Sequence, residues 1–541
     1  MMSKSGEETP PERMKLNSFV FLSSAISIGV FGLLFVFFPE KSQYWLTYVQ
    51  EQANHLFGWY YMLVVVGCIG FVGWLAFSKV GQIPLGKDGD KPEFGYFAWV
   101  SMLFSSGIGI ALLYYGVAEP VDHFLRPPEG EAGTMQAARN AMVYSFLHWG
   151  VHGWVLYALL GVALGYFAFR KDLPLALRSA LYPIFGKRIH GWIGDLVDGF
   201  GILATVIALV TNLGIGALVL LSGIRYLFPM LPNTHTVLVV TVLLMMTVAT
   251  ITTVAGIEKG LAWLCRINLR LLYAFLFFVF LTGPTNLLLN GLVQNFGDYL
   301  QHFVVKSFDM YLFNNEASTW FGSWTIFYWA WWIAWAPFVG MFVACISKGR
   351  TIREVVLGVC LIPLGFTLAW MSIFGNTAIH FILDKNQKIL GDMVLSDPAL
   401  SLFKLLEYLP FHPYVAGIVV VICFVLFLAP VGSGTLMVAN LSMKGGRNDS
   451  ESPVWLRVFW SIVITIVSIG LLLAGSFSSM QSAVVLCGLP FSVIVLLYIF
   501  CLNKALKQEM APPAPPQVQV ITQDMPSSPH STRSTEMSKV G

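Results

Sequence analysis

The segment GSWTIFYWAWWIAWAPFVGMF, from Gly322 to Phe342, puts Trp324, Tyr328, Trp331 and Trp335 on one stripe of a helix, with Trp332 beside it. Trp and Tyr also gather at headgroup depth in membrane proteins. Trp331, Trp332 and Trp335, however, lie near the middle of the apolar run, where such a belt has no reason to be. A second aromatic set stands in FLHWGVHGWVLY as Trp149, Trp154 and Tyr157. A quaternary ammonium group has no N–H to donate, so a protein holds it by turning the negative faces of aromatic rings toward it. Two helices offering such rings to one point would make a cage for a small organic cation.

Other residues carry less specific chemistry. His148 and His152 are spaced as helix neighbours, but a metal site needs a third ligand and none is evident, so both are expected to pack or hydrogen-bond. In FSSGIGIALLYYGVAEP, from Phe104 to Pro120, Gly107 and Gly109 flank Ile108 in mid-run. Glycines there permit local unwinding, which turns backbone N–H groups toward an anionic group and carbonyls toward a cation. They serve equally for close helix packing. LAWLCRINLRLLYAF places Arg266 and Arg270 one turn apart; either both snorkel to the headgroups or one points inward as a fixed charge. The seven cysteines fall singly in or beside apolar runs and read as small core residues, not metal ligands.

These side chains must be positioned by membrane helices. Of 541 residues, 56% are hydrophobic and 11% charged, against about 25% charged in a soluble domain, which excludes a soluble globular protein. A span takes roughly 20 apolar residues, and the apolar runs predict about twelve. They fall near 17–38, 57–77, 95–117, 140–168, 197–222, 236–257, 263–290, 320–347, 354–375, 414–441, 454–476 and 480–503. The run from Phe19 to Phe38 is too long for a signal-peptide core and reads as a retained first span. A net charge of +3 without an extended basic stretch excludes a nucleic-acid partner. Lys79, Lys87, Lys91, Arg170, Lys171, Arg178, Lys259, Lys348, Arg350, Arg353, Lys444 and Arg447 all fall in alternate connections. That side is expected to be the cytoplasm, with both termini, of a multi-pass protein of the cell (inner) membrane. FGDYLQHFVVKSF suits a helix lying at the lipid interface. The tail from Ala505, with APPAPP and few apolar residues, is expected to be disordered.

WTIFYWAWW resembles the signature of the betaine/carnitine/choline transporter family, and the glycine and aromatic motifs before it occur in the matching order, over residues 15–505. The resemblance implies an all-α polytopic fold with two inverted, LeuT-like five-helix repeats, here 95–290 and 320–504, after two peripheral helices in 17–94. Residues 1–16 and 505–541 would then be cytoplasmic segments and 291–319 an interfacial connection. The resemblance also implies a homotrimer. By motif position, Trp149, Trp154, Tyr157 and Trp332 correspond to the family's aromatic box, with Tyr114, Trp331 and Trp335 around it. The substrate's polar end would face the backbone of Gly107, Ile108 and Gly109.

Sodium-coupled members are similar to one another in a Thr-Ser pair in the tenth span and two threonines one turn apart in the fifth. This chain has Ala429 and Pro430, then Thr205 and Leu209. A hard cation needs oxygen ligands, so sodium-independent transport is expected, with substrate exchange as one mode. The family's sodium-independent exchangers resemble each other in an arginine near Arg266 and Arg270, which would replace the missing charge. The expected function is alternating-access transport of glycine betaine, carnitine or choline; a proton- or sodium-coupled symporter is the other reading. An enzyme would need convergent intramembrane titratable groups, and few are found beyond the histidines, the arginines and Asp198. A channel would need a polar pore stripe. No cofactor and no metal is expected. Ala111 is not the aspartate that would suit a substrate lacking a carboxylate, which disfavours choline. Beyond Ala505 only Lys507, Arg533 and Lys539 are basic, so osmotic regulation is expected to be weak.

Overall fold

A chain in lipid must satisfy its backbone polar groups internally, and the long apolar runs do so as helices. The computed structural model describes residues 15–107, 109–254, 258–444 and 452–511. Among them, ten helices are long and apolar enough to cross a bilayer, and one bent pair passes the same test together. The first half contains α1 (Ser18–Phe37), α2 (Pro39–Phe77), α3 (Tyr96–Gly107), α4 (Ala111–Leu125), α5 (Met135–Trp149), α6 (Val151–Gly165) and the short α7 (Tyr182–Phe185). It continues with α8 (Trp192–Leu227), α9 (His235–Val254) and α10 (Glu258–Thr282). The second half contains α11 (Thr285–Phe308), α12 (Asn315–Phe321), α13 (Phe327–Ile346), α14 (Ile352–Leu383) and the short α15 (Lys388–Ser396) and α16 (Ser401–Leu406). It ends with α17 (His412–Leu441), α18 (Val454–Gly475) and α19 (Phe477–Met510).

Several bounds differ from the expected ones, each for a local reason. The 95–117 run is two helices, because α3 ends at Gly107 and α4 begins at Ala111. The 263–290 run ends at Thr282, where Gly283 and Pro284 intervene and the chain turns by 112° between Leu269–Thr282 and Thr285–Phe308. The helix expected at the interface therefore starts at Thr285. The second run begins at Pro39, whose fixed φ suits the first helical turn. At the other end α19 continues past Ala505 to Met510, held by ion pairs of Glu509 with Arg170 and, at 2.8 Å, Lys171. Strands β1 (Lys15–Leu16) and β2 (Met443–Lys444) pair antiparallel beside the helices. Residues 1–14 and 512–541, and with them most of the two terminal segments, lie outside the described residues.

The centre of the bundle is the α6–α13 contact together with α8, which is buried at every position from Ala204 to Ala217. A Cβ on Gly161 would sit 2.4 Å from Val343, and one on Gly340 2.4 Å from Leu160, so small residues set this approach. The connections rich in basic residues meet at one end. Arg353 donates to Ala76 O at 2.7 Å and to Ser78 O at 3.0 Å, and Arg170 pairs with Asp88 at 2.9 Å. Thr351 and Glu354 close α14 there with a capping box. At the far end of α4, α15 and α16 form a cover, with Leu390, Val394, Leu402 and Phe403 buried.

Candidate functional site

The site is assembled where helices break. α5 stops at Trp149 and α6 restarts at Val151, with Gly150 between them at φ −90° and ψ −149°. A Cβ on Gly150 would lie 2.2 Å from Phe146 O, so no other residue fits. The Tyr299 hydroxyl accepts from Val151 N–H at 3.2 Å, satisfying a donor that the restarted helix leaves open. The break directs Trp149 inward. Facing it, a π-turn at Gly322–Ile326 joins α12 to α13, the helix that carries Trp331, Trp332 and Trp335. Gly153 lets the two helices close, since a Cβ there would be 2.2 Å from the Trp332 ring.

Between these elements is a cavity of 60 Å³ walled by Trp149, Tyr157, Trp331, Trp332 and Trp335. Gly109 and Ala111 border it from the α3–α4 break, Asn212 from α8, and Val339 and Pro430 complete it. A water needs about 10–15 Å³ of such space, so the cavity admits a small ligand of several heavy atoms. Trp149 stands nearly perpendicular to Trp331 and Trp332, at centroid distances of 6.3 and 6.1 Å, and Tyr157 is 5.1 Å from Trp332. Trp332 is fixed by donating to His148 O at 2.9 Å. Among the described residues that border it, Trp331 Nε1 and Asn212 Nδ2 are buried without a protein partner. The arrangement offers several ring faces to a cation and two N–H donors to a polar end.

The structure brings together Trp149, Tyr157, Trp331, Trp332, Trp335 and Gly109. Trp154 stands behind the wall, 5.6 Å from Trp332 and 5.7 Å from Tyr157, without bordering the cavity. Tyr114 packs on Tyr115 and Phe477 instead. Gly107 closes α3, and Ile108 lies outside the described residues. Arg266 and Arg270 are both exposed on α10, so neither stands inward as a fixed charge in this conformation. Leu209 is buried against Gly434, putting hydrocarbon where a threonine oxygen was looked for.

One cluster was missed in the sequence. Glu119, His123 and His148 are all fully buried, with potential ligand atoms within 4.8 Å of one another. His148 Nδ1 donates to Glu119 Oε1 at 2.7 Å, and its Nε2 is hydrogen-bonded to the Thr325 hydroxyl at 3.1 Å. Trp149 Nε1 donates to Glu119 Oε2 at 2.7 Å, and the Tyr328 hydroxyl donates to the same oxygen. Trp320 Nε1 can only donate, and it does so to His123 Nδ1 at 3.3 Å. The His123 proton is thereby assigned to Nε2, which faces Glu119 Oε1 at 3.4 Å and offers a metal no lone pair. His148 thus has the acidic partner not evident from spacing alone, whereas His152 bonds to Ser307 at 2.7 Å as a packing residue would. The available signal was a carboxylate deep in the run that ends VAEP, one turn from His123; charged groups inside spans are rare. Asn212, a lone amide in the apolar α8, carried a similar signal.

A bundle of spanning helices with broken elements around an aromatic cavity that admits a small organic ion defines a membrane transporter rather than an enzyme. The family model described as BCCT, betaine/carnitine/choline family transporter, matches residues 19–511, and the chain belongs to that family. It is 77% identical over 513 residues to the osmo-independent choline transporter BetT1 of Acinetobacter baylyi, covering 95% of this chain and 98% of that protein. It is 41% identical over 503 residues to the osmo-dependent choline transporter BetT2 of the same organism, covering 93% of this chain and 73% of that protein. A glycine betaine transporter of that organism is 39% identical over 492 residues, covering 91% and 74%.

Proposed function

We propose that this chain carries choline across the cell membrane by alternating access, without sodium. The observation that carries the reading is the cavity walled by Trp149, Tyr157, Trp331, Trp332 and Trp335, whose ring faces suit a trimethylammonium head. Asn212 Nδ2 and Trp331 Nε1 would donate to the hydroxyl. The 77% identity to a choline transporter favours choline over glycine betaine, against the expectation drawn from Ala111. Leu209 and Pro430, in place of hydroxyl ligands, support sodium independence. A permanent cation is drawn to an interior-negative side by about 2.3 kcal/mol per 100 mV, which removes the need for a coupling ion. The identity to a relative named osmo-independent supports weak osmotic control, and the gathered basic connections support a cytoplasmic location for that end and both termini. The exposed apolar residues of α11, such as Val293, Val304 and Val305, support a contact between copies in the homotrimer that the family resemblance implies. Uptake of labelled choline into proteoliposomes tests the reading, with sodium, potential and internal choline varied separately. Uptake that follows an interior-negative potential in sodium-free buffer is expected. Uptake that requires a sodium gradient refutes sodium independence, and dependence on internal choline establishes exchange in its place.

A further inference from the structure

We propose that Glu119 is the counter-charge of the transported cation, acting through the Trp149 indole that separates it from the cavity; the inference rests on the choline reading above. None of the described residues bordering the cavity is charged, so a cation inside it meets rings, aliphatic side chains, one amide and backbone. Trp149 borders the cavity, and its N–H donates to Glu119 Oε2 at 2.7 Å. The carboxylate is therefore one ring away from the bound cation.

The hydrogen bonding around Glu119 is that of a carboxylate and not of a carboxylic acid. His148, Trp149 and Tyr328 all donate to it, and His123 turns Nε2–H toward it. Its ion-pair partners among the described residues are these two histidines; Trp320 donates to the second nitrogen of His123, and that of His148 meets the Thr325 hydroxyl. With that hydroxyl donating, neither imidazole carries charge, and the cluster holds one buried negative charge without a cationic partner. Such a charge is costly to bury. A glutamine has one accepting oxygen and an NH2 that only donates, so these donors call for a carboxylate, but they leave its charge unbalanced. A cation in the cavity balances it.

Two effects act in the same direction. Coulomb attraction across roughly 8 Å at an effective dielectric of about 20 is worth on the order of tenfold in affinity or more. Donation to a carboxylate also polarises the Trp149 indole, which makes the ring face more attractive to a cation. Choline carries a net charge of +1 and gains the full effect, whereas the carboxylate end of glycine betaine is repelled and cancels part of it. Glu119 thus supplies from behind the ring the charge that Ala111 does not supply at the cavity surface.

The test measures equilibrium binding to the full-length protein in nanodiscs for choline, glycine betaine and the uncharged choline isostere 3,3-dimethylbutan-1-ol. In Glu119→Gln, choline should weaken about tenfold, glycine betaine less, and the isostere by no more than about twofold. Unchanged choline affinity, or an equal loss for all three ligands, overturns the proposal, the second by making Glu119 a support for Trp149 alone. If Glu119→Gln does not fold, Glu119→Asp and Glu119→Asn leave the same gap and differ in charge and in one acceptor, the loss of which the uncharged isostere reads separately. The choline-to-isostere ratio should then survive in Asp and fall in Asn, and equal ratios overturn the proposal. A wild-type protein that does not bind choline refutes the substrate reading itself; a choline-binding wild type with an unaltered Glu119→Gln refutes only the role of Glu119.

Discussion

Trp332→Leu tests the cage most directly, because the structure separates this residue from Trp154, which occupies the same aromatic layer without touching the cavity. Trp332 is 6% exposed, borders the cavity and meets both Trp149 and Tyr157. A desolvated cation–π contact is worth about 2 kcal/mol or more, so its loss should raise the choline Kd about 30-fold. The same change leaves His148 O without its donor, which costs about 1–3 kcal/mol in stability. It also opens a void, and the two losses together should lower the melting temperature by several degrees. Trp154→Phe should show the reverse pattern, with stability lost through cavity formation and choline affinity altered by less than about threefold. Binding by isothermal calorimetry and unfolding by intrinsic fluorescence on the same nanodisc preparations read both quantities. If folded Trp332→Leu binds choline within about threefold of wild type, the ring is not a wall of the site and the cage argument fails. If Trp154→Phe loses affinity as much as Trp332→Leu, the two rings act as one layer and the division drawn here is wrong.

Asn212→Leu should weaken choline about fivefold, the worth of one hydrogen bond of about 1 kcal/mol, and leave tetramethylammonium, which has no hydroxyl, unaffected in the same binding assay. Arg266→Gln and Arg270→Gln should each keep sodium-free uptake within about twofold of wild type, since both residues are exposed and suit headgroup contact; abolished uptake from either would restore the charge-replacement role. A chain ending after Met510 should match the full chain in uptake and thermal stability, whereas one ending after Ala505 removes Glu509 from Arg170 and Lys171 and should unfold earlier. Part of that ion-pair energy is screened, because Lys171 is 40% exposed. Equal stability of the two truncations would show that the network does not anchor α19.

Spans were legible because a bilayer leaves a long apolar run few alternatives to a helix. Breaks were legible only in part. Gly107 and Gly109 marked the α3–α4 interruption, but Gly150 in HWGVHGW gave no hint that it, and not Gly153, ends a helix. The choice depends on Tyr299, which approaches from α11 and occupies the space a Cβ on Gly150 would need. The aromatic wall could be read from spacing because its chemistry requires a ring type that few other roles place in mid-membrane. Glu119 could not, since its partners come from α4, α5 and α13, and a helical wheel sees one helix at a time. Arg266 and Arg270 stayed open between two readings for the related reason that helical spacing places two residues on one face without saying whether that face meets lipid or protein.

The composite character of Trp149 links these cases. As a ring it belongs to the aromatic wall of the cavity, which the motif indicated; as an N–H donor it belongs to the Glu119 cluster, which the motif could not reveal. The indole is the only part of the cage shown to contact a buried negative charge among the described residues, so a conformational change that rotates Trp149 away from Glu119 would weaken the hold on the cation as well as open the wall. Release and opening would then be one event: the break at Gly150, which directs Trp149 inward, sits next to the bond that its rotation would break. The helix break that builds the site thus lies beside the bond whose rupture would change the affinity of the site.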